Sequence, residues 1–158
     1  MKKIFLAFLI CGLAVTQFSF TPVRTEKLPL CTALLKIMKE EPSEFLTLRA
    51  GLTSESGTSK SYNSKVIVDG WISTAYSFED GAISIDVQSL STTKEKAQEL
   101  FNTTNKQIAA CLGIDGAVLQ AKGVDDLVIF TKSKCDVALM LITKEGKTFV
   151  MISISRES

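Results

Sequence analysis

The chain contains no histidine, and its 158 residues include only three prolines, two tyrosines and one tryptophan. The missing imidazole removes the usual general base for a serine or cysteine nucleophile and a common nitrogen ligand of zinc. The four cysteines form no Cys-x-x-Cys pair, so no metal site is expected. Neither GxGxxG nor GxxxxGK[ST] occurs, so no loop is suited to cradling phosphate and no cofactor is implied. A basic run is absent too: 18 basic and 17 acidic residues give a net charge of +1, and the lysines are interleaved with acids. Nucleic acid is therefore not an expected partner, because its readers carry a basic patch or stripe.

At 46% hydrophobic and 22% charged, the composition suits one globular domain. Residues 1–20, MKKIFLAFLICGLAVTQFSF, place Lys2 and Lys3 before an apolar run from Ile4 to Val15, the layout of a secretory signal peptide. Gly12 and Ala14 supply the best small-residue pair for cleavage. Ile10 before Cys11 does not suit a bacterial lipoprotein signal. Uncleaved, Ile4 to Phe20 is 17 residues, at the lower limit for a membrane anchor. Residues 21–27 read as a polar linker and 28–158 as a single domain without a further membrane span. Removal of the leader leaves 16 basic and 17 acidic residues, a net charge of −1.

Export to the periplasm or the exterior changes the meaning of the cysteines, because those compartments are oxidising. Cys31, Cys111 and Cys135 survive leader removal, and three thiols imply one disulfide and one free thiol.

Pro29, the apolar positions Leu30, Cys31, Leu34, Leu35 and Met38, and then Pro42 outline a first helix. SEFLTLRAG reads as a short strand, and LTSESGTSKSYNS, rich in serine and poor in apolar residues, as a mobile loop. Asp69-Gly70 and Asp80-Gly81, each between strand-like flanks, read as two hairpin turns. A Thr92/Glu95 capping box opens a second helix with the stripe Ala97, Phe101, Thr104, Ile108 and Cys111, closed by Gly113. The rest is a three-stranded meander with turns at Lys132–Lys134 and Glu145-Gly146.

This order predicts an α+β fold: helix, three or four strands, helix, meander, with two helices on one face of a mainly antiparallel sheet. In element order it resembles small secretion-chaperone-type folds, a likeness that carries no motif and so no function. Strand number decides the disulfide. Four strands between the helices, as two Asp-Gly hairpins imply, bring Cys31 to Cys111; three would bring Cys31 to Cys135. A split of residues 117–130 into two strands would bring Cys111 to Cys135.

Few residues suggest chemistry. Cys135, between Lys134 and Asp136, is the one candidate nucleophile, and it lacks a base. Asp125-Asp126 reads as a turn before it reads as a carboxylate pair. Trp71 is a candidate binding anchor, although a lone tryptophan more often belongs to a core. The meander is apolar on both faces. A curled sheet closing on itself would explain that, as would a homodimer through Met140, Ile142, Val150 and Ile152 or their alternates Leu139, Leu141, Phe149 and Met151.

The function these features favour is an exported, non-enzymatic binding or protein-interaction module, its partner a protein or another envelope component. The competing readings are an enzyme using the Cys135 thiol and an envelope protein anchored by its leader. The first-named reading requires a processed chain. Intact-mass spectrometry of the exported protein is expected to show residues 1 to about 20 removed, and retention of Met1 through Phe20 would establish an anchor instead.

Overall fold

The computed structural model describes residues 25–79 and 82–156; the leader, the expected cleavage site and the Asp80-Gly81 turn lie outside the described residues. In chain order the elements are β1 (Glu26–Leu28), α1 (Leu30–Lys39), two 3-10 turns (Glu41–Ser43 and Leu46–Leu48), β2 (Arg49–Ser56), β3 (Ser59–Ser64), β4 (Val66–Val68), β5 (Ser73–Glu79) and β6 (Ala82–Gln88). Then follow α2 (Lys94–Leu112), β7 (Ala117–Leu119), β8 (Asp126–Lys132), β9 (Cys135–Lys144) and β10 (Lys147–Arg156). The α+β expectation holds: two helices accompany an eight-stranded antiparallel sheet ordered β2-β3-β5-β6-β10-β9-β8-β7.

The C-terminal half builds itself through tight turns. Ser133 and Lys134 (φ 54° and 65°) and Glu145 and Gly146 (φ 52° and 74°) are the two-residue loops that suit the twist of paired strands. Each loop fixes a register, pairing Cys135 with Lys132 and Lys147 with Lys144. Alternation then sends Val128, Phe130, Val137, Leu139, Leu141, Val150, Ile152 and Ile154 to one face, where all are buried. α2 lies across β8, β9 and β10 on that face and buries Ala97, Phe101, Thr104, Ile108 and Leu112. Gly113 (φ 67°) closes it in the left-handed conformation.

Several local expectations need correction. Thr93, not Thr92, caps α2 by accepting from the Lys96 N–H, while Thr92 is held in a bridge to Thr148 of β10. Leu112 rather than Cys111 completes the buried stripe, and Leu46–Leu48 is a 3-10 turn, with the strand starting at Arg49. The serine-rich stretch is no loop but the β2–β3 hairpin, turning at Gly57 (φ 56°), because backbone pairing needs no apolar side chains. Asp69-Gly70 makes a turn, closed by the Trp71 N–H to the Val68 carbonyl, yet no hairpin: β4 pairs in parallel with β1, which occupies part of the expected linker. At the second Asp-Gly the flanking strands do pair, Glu79 opposite Ala82.

The main sheet thus has four strands between the helices, and Cys31 is bridged to Cys111 with Cα atoms 5.5 Å apart. The number came out right for a different reason, one missed hairpin replacing one supposed hairpin. Residues 117–130 also split into β7 and β8, but the split does not bring Cys111 to Cys135. Cys135 stays free and buried under the C-terminal part of α1, its thiol directed at the Met38 carbonyl. Nor does the sheet close on itself, since β2 and β7 are its two edges among the described residues.

The bridge closes a separation of 80 residues. Cys31→Ser/Cys111→Ser is expected to lower stability by about 3 to 4.5 kcal/mol and the melting midpoint by roughly 10 °C, measured by calorimetry. An unchanged midpoint would show that the bridge does not constrain the unfolded chain.

Candidate functional site

α2 covers only the C-terminal half of the sheet, and α1, ten residues long, is too short to roof the rest. The segment between α1 and β2 does part of that work. It drops Phe45 and Leu48 into the core, which holds Glu44 and Phe45 at φ 53° and 55°, an uncommon conformation for side-chain-bearing residues. The Phe45 N–H donates to the Glu40 carbonyl and the Leu48 N–H to the Phe45 carbonyl. Arg156, from the end of β10, reaches over to Glu41 (Nε to Oε1, 2.8 Å) and Glu44 (3.6 Å). The Glu41 contact is one of charge: that oxygen is buried and accepts no aligned hydrogen bond.

Beside this segment the concave face of β2, β3, β5 and β6 is open. A cavity of about 290 Å³ is lined there by Glu44, Leu46, Arg49, Lys60, Tyr62, Tyr76 and Ile83. Strand pairing sets Tyr62 opposite Tyr76 and Tyr76 opposite Ile85, so the aromatic pair rises from the same face as the core. The rings meet edge to face with centroids 5.7 Å apart. Tyr76 is only 2% exposed, its hydroxyl 3.5 Å from the Glu44 carbonyl, and burial raises its pKa. The Arg49 guanidinium stacks 4.8 Å from the Tyr62 ring centre.

The charges here are unequally matched. Lys60 is paired with Glu55 at 2.8 Å, a contact that raises its pKa, and Glu44 faces Arg156. Arg49 is in no ion pair among the described residues. The site therefore offers a fixed cation with hydrogen-bonding edges free, beside two phenol rings and the apolar side chains of Leu46 and Ile83. Such a site can hold an anionic group and pack an apolar body against it.

The residues singled out in the sequence lie elsewhere. Trp71 is half-buried and packed against the core. Met140, Ile142, Val150 and Ile152 do not share a face: Met140 stands opposite Met151 and Ile142 opposite Phe149, on the side away from α2, whereas Val150 and Ile152 are fully buried beneath the helices. The two-residue loop at Glu145-Gly146 already implied this, because Lys144 opposite Lys147 makes every pair sum to 291. Asp125 accepts from the Thr143 hydroxyl and Asp126 starts β8, so the adjacent acids diverge. Arg49, Tyr62 and Tyr76 went unnoticed: Tyr62 lies in the serine-rich stretch read as a loop, and no local pattern signals that the strands of Arg49 and Tyr76 meet it. Among the described residues no cluster of His, Cys, Asp or Glu is arranged to hold a metal ion, and no helix is long and apolar enough to cross a membrane. No protein-family model, no curated protein and no solved structure matches the chain.

The Cys135 thiol is pushed up from 9.0 to about 11 by burial first, then by the carboxylates of Glu41 and Asp136. It is thus a neutral thiol near pH 7, and its surroundings do not activate it. Because the folded pKa is raised, the folded state binds the proton more tightly, so this stabilisation is complete below pH 9 and is lost as pH rises toward 11. The stability difference between wild type and Cys135→Ala, followed by denaturant unfolding, is expected to shift against the wild type across that window. A constant difference would mean that the thiol titrates normally.

Proposed function

We propose that the chain is an exported, non-enzymatic binding module, working in the periplasm or outside the cell, that takes its ligand on the open concave face of β2, β3, β5 and β6. One observation carries this reading: Arg49, stacked on Tyr62 and in no ion pair among the described residues, stands at the mouth of a cavity roofed by strained backbone. An arginine pre-oriented on an aromatic ring loses little freedom when it accepts a planar anion. The left-handed pair Glu44-Phe45 supports the reading, because strained backbone is concentrated at ligand sites. The Cys31–Cys111 disulfide is compatible with an oxidising, exported location.

The ligand this surface suits is a carboxylate or similar anion attached to an apolar or aromatic body, as at the end of a peptide. Benzoate, with benzamide as its neutral counterpart, is the simplest probe. Titration followed by amide NMR is expected to move Arg49, Tyr62 and Ile83 saturably with benzoate and at least about fivefold more weakly with benzamide, the preference that a charge-assisted contact of about 1 kcal/mol confers. Arg49→Gln is expected to erase the preference. Equal binding of both compounds, or benzoate binding undiminished in Arg49→Gln, would refute the assignment.

A further inference from the structure

The face of the sheet turned away from α2 is polar in one half and apolar in the other. On β6 it presents Ser84, Asp86 and Gln88, with Ser84 and Ser153 both donating to Asp86. On β8, β9 and β10 it presents the half-buried Ile129, Met140, Ile142, Phe149 and Met151 around a buried Leu127. Leu127, Met140 and Met151 stand side by side in one row across the three strands. Among the described residues no helix lies over them: α2 occupies the opposite face, where the alternate residues are buried. With strands about 4.8 Å apart and about 3.3 Å per residue, these positions span roughly 300 Å² of sheet, the size of the largest apolar patch on an ordinary monomer, which is often functional.

The charges around this area are arranged with a direction. At one end of the outward-facing positions stand Asp136 and Asp86; at the other stand Lys144 and its pairing partner Lys147. None of the four is in an ion pair among the described residues. Met140 is midway, four residues from Asp136 and four from Lys144, about 13 Å in each direction along the strand. A face with an apolar middle, an acidic end and a basic end is complementary to itself after a half-turn about an axis that crosses the strands at Met140. The same half-turn about an axis along the strands would lay acid on acid and base on base.

From this pattern we infer that the occupant of the face is a second copy of the chain, in a two-fold, face-to-face dimer. The strands of the two copies run antiparallel, and the Asp86/Asp136 end of each lies over the Lys144/Lys147 end of the other. Two such sheets pack about 10 Å apart, with the outward side chains of one inserted between those of the other. The contact is isologous, so each charged end is used twice. Doubling the apolar area and adding the charged rims gives roughly 1,000 Å², the lower end for a specific complex, so the dimer is weak and forms at micromolar concentration.

Charge reversal tests the axis as well as the interface. Sedimentation velocity of the full chain at 5 to 100 µM is expected to show a concentration-dependent dimer, those concentrations bracketing the weak affinity that so small an area implies. A Lys144→Glu/Lys147→Glu chain has two acidic ends and an Asp86→Lys/Asp136→Lys chain two basic ones, and each alone is expected to self-associate at least about tenfold more weakly. Mixed one to one, they are expected to recover the wild-type level of dimer, because only the mixed pair matches at both ends. Circular dichroism of each variant establishes that it is folded. Should either reversed chain lose its fold, Lys144→Gln/Lys147→Gln replaces the lysine variant and Asp136→Asn the aspartate variant, each then expected to weaken the dimer. A wild type that stays monomeric at 100 µM would overturn the proposal. So would folded variants that associate as the wild type does, as association through residues 1–24 would make them, or reversed chains that fail to pair with each other.

Discussion

The position of β10 is the constraint on which the rest of the fold depends. The last strand of the chain is inserted between β6 and β9, so Ile152 pairs with both Leu139 and Val87, and Ile154 with both Val137 and Ile85. All six side chains are fully buried on one face. Without β10 the sheet separates into a half built before α2 and a half built after it. The seam is also the least local contact in the sheet, since β6 and β10 are some sixty residues apart. Forming it carries a larger loop-closure cost than any other strand pairing in the sheet. The Cys31–Cys111 bridge joins the same two halves from the helix side, tying the first turn of α1 to the last turn of α2.

From that seam follows an unequal division of surface. α2 is nineteen residues long and covers the C-terminal strands; α1 is ten and sits over β4. The N-terminal half of the sheet is therefore roofed only by the turn around Phe45, and the cavity beside Arg49 and Tyr62 lies where that roof ends. Two other concavities among the described residues offer less. One is lined by charges already matched, such as Lys36 with Glu26, and the other by the small residues Ala109, Ala110 and Gly113 with Ile114 and Asp115 at the end of α2. On the far side, no helix among the described residues covers the apolar side chains of β8, β9 and β10. The cavity and the apolar face consequently lie on opposite faces and in opposite halves of the sheet, so covering one leaves the other accessible.

Elements whose register is set by a neighbouring turn were legible in the sequence. α2, the turns at Lys132–Lys134 and Glu145-Gly146, and the three C-terminal strands all stand where hydrophobic period and turn chemistry place them. The β2–β3 hairpin was not, because it rests on backbone pairing and on Tyr62 packed against Tyr76 of β5 rather than on an alternating apolar pattern. The capping-box pattern pointed to Thr92, but the bridge from Thr92 to Thr148 leaves the cap to Thr93. The error over Val150 and Ile152 was avoidable: the two-residue loop already fixed which residues share a face.

By itself, then, the sequence determined the α+β class, the presence of one disulfide and one spare thiol, and a meander with two apolar faces. Each of these is a matter of composition or of spacing over a few residues. Which cysteine stays free, which apolar face the helices cover, and that Arg49 and Tyr62 meet Tyr76 at an open cavity were decided only by the tertiary structure. Those outcomes depend on strand order, and strand order is set by the docking of β10 on β6, a contact between residues far apart in the chain that no local pattern encodes.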